Sequence, residues 1–297
     1  MKKHLTGIAI ISLASLSAFA QKATQAFPKF DIEAHRGGRG LMPENTIPAM
    51  LNAIDLGVTT LEMDTHITAD GKVILSHDDT FNPLFTLTPD GKEMSKDEAH
   101  QQALFRMNYA DIAKFDVGSK PYSKFPEQKK IKVYIPLLEA VIDSVQQYLK
   151  AKGKPQIFYN VETKSKPEGD HIYNPAPVEF VQQLIKVIER KKITPYVVVQ
   201  SFDKRTIQLL HQKYPQVKTS YLVDSPKSVD EYITELGYKP YIISPAYKLV
   251  TANMVQQCHA QGIKIVPWTV NTSEEIAALK ALGVDGIISD YPNLLVK

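Results

Sequence analysis

From Phe30 onward, short apolar stretches alternate with longer runs whose apolar positions recur every three to four residues. The short stretches read as strands: FDIEA (30–34), TTLEMD (59–64), QIFYNVET (156–163), YVVVQS (196–201), VKTSYLV (217–223), YIIS (241–244), IKIVPW (263–268) and DGIISD (285–290). The longer runs read as amphipathic helices. In Pro136–Lys150, the residues Leu137, Leu138, Val141, Ile142 and Val145 fall at helical spacing. Val178–Lys191, Asp203–Lys213, Lys227–Leu236, Thr251–Ala260 and Ser273–Leu282 follow. Asp203, Thr251 and Ser273 are expected N-caps, and Gly262 and Gly283 expected helix stops. Eight such alternations predict an α/β fold, a TIM (β/α)8 barrel. An open doubly wound sheet is the alternative, but no GxGxxG follows the first strand.

The rhythm breaks after the second strand. Thr65–Ala69 and Lys72–Ser76 flank Asp70-Gly71, a hairpin signal that would bring His77 to the barrel mouth. A polar stretch then runs from Asp79 to about Lys132, with a turn at Pro89-Asp90-Gly91 and a short helical run, Asn108–Phe115. A connection this long carries function or its own structure. It reads as an insertion over the mouth, within a single domain spanning 21–297.

Residues 1–20 stand outside that pattern. Lys2 and Lys3 precede an uncharged run from Leu5 to Phe19, and Ala18-Phe19-Ala20 fits a cleavage site before Gln21. This predicts a signal peptide and an exported protein, periplasmic or secreted. The alternative is a membrane anchor, for which the run is short. No stable membrane anchor is expected after cleavage. Its removal lowers the net charge from +3 to +1, so the charge gives no support for nucleic acid as a partner. Cys258 is the only cysteine, which excludes an internal disulfide; it lies in the helix-like TANMVQQCHAQG, where packing is its expected role. The sequence does not indicate an oligomeric state.

Barrel chemistry collects at the C-terminal ends of the strands. There the chain places His35-Arg36, Glu62-x-Asp64, Glu162-x-Lys164, Gln200, Trp268 and Asp290. Residues two apart share a strand face, so Glu62 and Asp64 point one way, and Glu162 and Lys164 likewise. Inward carboxylates need a partner, because buried charge is costly. A hard divalent cation, Ca²⁺ or Mg²⁺, suits three acids without cysteine. Salt bridges to Lys164 and Arg36 would serve as well, and spacing does not choose. His35 and His77 beside the acids fit acid–base chemistry. Arg36 offers a planar fork suited to phosphate. Gly37, Gly38 and Gly40 would let backbone approach a ligand, and Asn45 or Thr46 would cap the next helix. Glu44, Glu33 and Gln200 are candidates to support these groups from behind.

The set His35-Arg36-Gly37, Pro43-Glu44-Asn45-Thr46, Glu62-x-Asp64, His77-Asp78, Glu162-x-Lys164, Trp268 and Ser289-Asp290-Tyr291-Pro292 resembles the signature of glycerophosphodiester phosphodiesterases. The resemblance runs from about Asp31 to the C-terminus. It implies a TIM barrel with one divalent metal on Glu62, Asp64 and Glu162, and His35 and His77 as the acid–base pair. It implies Arg36 and Lys164 near the phosphate, and Trp268 against the glycerol or leaving-group side. The implied reaction is metal-dependent hydrolysis of a small-molecule glycerophosphodiester to glycerol 3-phosphate and an alcohol. Where family members often carry an Asp-Arg pair, this chain reads Phe81-Asn82-Pro83; Asp31 and Glu33 stand where many carry apolar residues. Other readings of the same residues are a glycoside hydrolase using Glu62 or Glu162, a non-catalytic binder of phosphorylated solutes, and a phospholipase acting on intact lipid.

Overall fold

A computed structural model describes residues 26–296. The expected signal peptide, 1–20, lies outside the described residues. In chain order the strands are β1 (Asp31–Ala34), β2 (Thr60–Ile67), β3 (Val73–Leu75), β4 (Phe158–Thr163), β5 (Val197–Ser201), β6 (Lys218–Val223), β7 (Ile242–Pro245), β8 (Lys264–Ile265) and β9 (Gly286–Ser289). All but β3 run parallel, in the spatial order β8-β7-β6-β5-β4-β2-β1-β9. The two ends of that order meet through Asp285 N to Ile265 O (2.9 Å) and Ile288 N to Pro267 O (3.0 Å). The sheet is therefore a barrel of eight parallel strands, not an open sheet. The stretch read as strand 263–268 pairs in the ladder only at Lys264 and Ile265. Pro267 has no N–H to give a neighbour.

The helices are α1 (Ile47–Leu56), α2 (Lys96–His100), α3 (Tyr109–Ile112), α4 (Leu138–Lys152), α5 (Pro177–Arg190), α6 (Lys204–Lys213), α7 (Val229–Leu236), α8 (Ala252–Ala260) and α9 (Ser273–Leu282). Thr46, Asp203 and Thr251 cap α1, α6 and α8 through their side-chain oxygens. The cap of α9 is Thr272, not Ser273: Thr272 is the extended residue, and it accepts from Glu275 N. Gly283 ends α9 at φ 85°, whereas Gly262 lies one residue past the Gln261 that ends α8. Among the described residues, no helix is long and apolar enough to cross a membrane.

Alternation along the strands divides the core. Leu61, Met63, Tyr159, Val161, Val199 and Ile287 pack with the helices in the main apolar shell. Inside the barrel, Val198, Ile242, Val266 and Ile288 form a small apolar plug with Trp268 against it. The remaining interior is polar: Asp31, Glu33, Glu62, Asn160 and Gln200 are all buried.

β2 continues beyond the barrel and pairs with β3 in a hairpin, Thr65 opposite Leu75 and Ile67 opposite Val73. The segment after it packs Phe81, Met94, Leu104, Ile112, Phe115 and Ile135 with Ile74 of β3 in a second apolar cluster. Phe81 stacks on Phe115 with centroids 3.9 Å apart. The segment bonds to the hairpin through Ala69 N to Met107 O (2.9 Å). It reaches the loop after β1 through Lys129 N to Leu41 O (2.9 Å).

Candidate active site

β2 and β4 are in register so that Asp64 lies opposite Glu162, and Glu62 precedes Asp64 by one inward step. Glu62, Asp64 and Glu162 each offer an oxygen within 4.8 Å of the others. All three are buried. Burial, then the charges of Asp64 and Glu162, push the Glu62 carboxyl well above the usual range. Burial would raise Asp64 too, but Arg36, His77 and Lys164 hold it far below the ordinary carboxylate value. Lys164 Nζ lies 2.9 Å from Glu162 and 3.9 Å from Asp64. Arg36 Nε lies 3.2 Å from Asp64. Both expected salt bridges are thus present, and they leave the cluster incompletely matched. Asp64 Oδ1 is buried without a hydrogen-bond donor, and Glu62 sits beside two like charges. Three convergent carboxylates with free lone pairs fit a hard divalent cation.

The loop after β1 wraps this cluster. His35 begins a single turn, and Arg36 adopts φ 52°, a left-handed conformation uncommon for a side chain of its size. That turn aims Arg36 N at Glu62 Oε2, 2.7 Å away. The Arg36 guanidinium bonds Glu44 Oε1 (2.8 Å), so Glu44 acts on Arg36. Much of the fork expected to face phosphate is therefore engaged by protein. Asn45 does not cap α1; Thr46 does. Asn45 instead grips Asp64, donating from Nδ2 to Oδ2 (2.8 Å) and accepting from the backbone N–H (3.2 Å). The glycines serve packing. A Cβ on Gly37 would meet Ala49 Cβ at 2.7 Å, and one on Gly40 would run into the Tyr291 ring.

Each histidine has a carboxylate at Nδ1. His35 Nδ1 lies 2.5 Å from Asp290 Oδ1. Asp290 also accepts from Arg39 Nε (2.7 Å) and Asn271 Nδ2 (2.8 Å). Burial holds His35 down at about 4, outweighing the opposite pull of Asp290. His77 Nδ1 lies 2.7 Å from Asp78 Oδ1, and Asn82 Nδ2 holds the other oxygen of Asp78 (2.7 Å). His66, the next inward residue of β2, bonds His77 O through Nε2 (3.3 Å). A cleft of about 720 Å³ opens beside His77, with Glu162, Lys164, Leu84, Lys96 and Phe202 on its walls. Trp268 donates from Nε1 to Ser244 O (2.9 Å), and Phe202 meets its ring edge-on at 5.4 Å.

Gln200 donates from Nε2 to Glu62 Oε1 (2.9 Å). Glu33 is not directed at His35. It lies deeper in the barrel, where Asn160 Nδ2 donates to it (2.8 Å). From the sequence, Glu33 stood behind His35, Asp64 had a cation or a basic side chain as partner, and Asn160 and His66 had no place. The Ser289-Asp290 pair at the end of the last strand was the signal available for His35, since β9 pairs with β1.

The profile of the glycerophosphoryl diester phosphodiesterase family matches residues 35–294. A glycerophosphodiester phosphodiesterase of Caldanaerobacter subterraneus subsp. tengcongensis is 30% identical over 263 residues, covering 89% of this chain and 95% of the relative. A solved chain from Silicibacter pomeroyi superposes with a TM-score of 0.80 at 28% identity, over 90% of this chain and 92% of that one. A phosphodiesterase of Oleispira antarctica, solved in complex with the product sn-glycerol-3-phosphate, shares the fold at TM-score 0.68 and 21% identity, over 89% and 94% of the two chains. With the family profile spanning both histidines, all three clustered acids and the closing strand, this chain belongs to the glycerophosphoryl diester phosphodiesterase family.

Proposed function

We propose that the protein is an exported, metal-dependent glycerophosphodiester phosphodiesterase that releases glycerol 3-phosphate and an alcohol from deacylated phospholipids. The observation that carries this reading is the gathering of Glu62, Asp64 and Glu162 within 4.8 Å, flanked by two histidines that each carry a carboxylate at Nδ1. Glu62, Asp64 and Glu162 would hold one Ca²⁺ or Mg²⁺, which when bound supplies positive charge against the phosphate oxygens. Lys164 and the free part of Arg36 add further charge at the phosphate.

With Nδ1 engaged, each imidazole keeps Nε2 for the substrate. His35, held neutral by burial, is suited to accept a proton, and Asp290 stabilises the imidazolium that results. The proton would come from the glycerol 2-hydroxyl as its oxygen attacks phosphorus. His77 lines the wide cleft and would deliver a proton to the departing alcohol there. Its Asp78–Asn82 support fixes the ring. Water opening the cyclic phosphate reverses the two roles. Trp268 and Phe202 offer an apolar wall for the glycerol or leaving-group side. Export rests on the leader read in residues 1–20.

The test is a panel of glycerophosphodiesters, glycosides and intact phospholipids, assayed with Ca²⁺, with Mg²⁺ and with EDTA, the products being identified. Glycerol 3-phosphate release that needs added cation is expected. Turnover unaffected by stripping metal would remove the cation from the reading. Cleavage of glycosides alone would replace it, and binding of diesters without turnover would leave a solute binder.

A further inference from the structure

Below the carboxylate cluster, the barrel buries two acids that the reaction does not use. Asp31 and Glu33 are two apart on β1 and so share the inward face; neither is exposed. Two isolated buried carboxylates would be costly, and their bonding shows how the cost is met. Asp31 Oδ1 accepts the hydroxyls of Thr59 (2.5 Å) and Thr60 (2.6 Å). Asp31 Oδ2 and Glu33 Oε1 are buried without a hydrogen-bond partner. Burial and the Asp31 charge push the Glu33 carboxyl well above the usual carboxylate range. Glu33 Oε2 is the acceptor turned toward Asn160.

That acceptor begins a one-way chain. Asn160 Nδ2 uses one N–H on Glu33 Oε2 (2.8 Å) and the other on Gln200 Oε1 (3.0 Å). An amide keeps donor and acceptor on different atoms. Gln200, having accepted from Asn160, must turn Nε2 to Glu62 Oε1, at 2.9 Å. If Asn160 were reversed, its oxygen would face the Gln200 carbonyl. Gln200 would then reverse too and set its own oxygen against the Glu62 carboxylate. The acceptor that Glu33 presents thus sets, two amides away, the donor that Glu62 meets.

We propose that Glu33 is a positioning residue for the metal site, a buried acceptor that acts through Asn160 and Gln200 to aim an N–H at Glu62. This rests on the metal reading above. The donor offsets the repulsion Glu62 feels from Asp64 and Glu162, so Glu62 would be held ready as a ligand for the cation. Glutamine keeps the shape and the acceptor, its carbonyl taking the Asn160 N–H. Leucine keeps the volume and removes the acceptor.

The experiment is calorimetric titration of the purified protein with Ca²⁺ or Mg²⁺ alone, for wild type, Glu33→Gln, Glu33→Leu and Asn160→Asp. The melting temperature of each metal-free protein serves as the folding control. Glu33→Gln is expected to bind as wild type does. Glu33→Leu and Asn160→Asp are expected to lose about tenfold or more in affinity, the usual scale for groups behind a ligand. Should Glu33→Leu fail to fold, Asn160→Asp and Glu33→Gln still decide. Equal affinity in wild type and the disrupted variants overturns the relay alone, as does an equal loss in Glu33→Gln. A wild-type protein that binds neither cation overturns the metal reading, and the relay with it.

Discussion

Asp290 stands 255 positions after His35 in the chain, yet its Oδ1 lies 2.5 Å from His35 Nδ1. The pairing of β1 with β9, Ala34 opposite Ser289, brings them together. Arg39 and Asn271 donate to the same carboxylate, so the partner of His35 is itself held in place.

Asp290→Asn keeps the shape and removes the charge that, in the proposed mechanism, sustains an imidazolium at His35. It should lower kcat by about 100-fold while KM stays within a few-fold, the scale of a mis-set general base. Steady-state kinetics on glycerophosphocholine with saturating cation would show it. A kcat near wild type would release His35 from dependence on Asp290.

Adding Ca²⁺ or Mg²⁺ to metal-free protein should raise its melting temperature, because a cation relieves the crowding of Glu62, Asp64 and Glu162. At a hundred times Kd the gain is about 2.7 kcal/mol, or roughly 5 to 10 °C for a chain of this size. Asp64→Asn should abolish the rise. An identical rise in that variant would place the ion elsewhere.

His35 makes a signed prediction about pH. Its folded value is about 4, against about 6.5 for a free imidazole. Between those values the unfolded chain binds a proton that the folded protein does not, so stability falls as pH drops through this window and levels off below it. Relative to His35→Asn, metal-free wild type should therefore lose stability from pH 7 to pH 4, by about 3 kcal/mol at most. Urea midpoints at both pH values for both proteins give the double difference. A constant difference would mean that His35 titrates as it does in water.

Cys258 is wholly buried on α8, and burial pushes its thiol up to about 12. Thiolate is the reactive form, so a thiol reagent at pH 8 should label native protein at a negligible rate. After unfolding in guanidinium it should label one equivalent. Prompt labelling of the native protein would show that α8 opens readily.

The barrel was legible because its cause is local. Apolar alternation sets each strand, and the same alternation put Glu62 with Asp64 and Glu162 with Lys164. The caps of α6 and α8 were readable for the same reason. What failed to show were contacts set by register between distant strands. Asn45 on Asp64, Asp290 on His35, and Asn160 between Glu33 and Gln200 each need the closed sheet before the partner exists. The glycines of the first loop hid a second role. Their missing side chains make room for Ala49 and Tyr291, a need visible only when α1 and the C-terminal segment have packed.

The seam between β8 and β9 has a consequence for the order of assembly. A nascent chain that has emerged only as far as Asp285 can pair seven barrel strands, but β1 still faces water along the edge that β9 will cover. That pairing spans almost the whole sequence, so its loop-closure cost falls late in folding. His35 acquires its carboxylate in the same event. The half-built enzyme therefore has its acidic cluster in place while His35, the proposed proton acceptor, is still unsupported, and the complete site arrives together with closure of the ring.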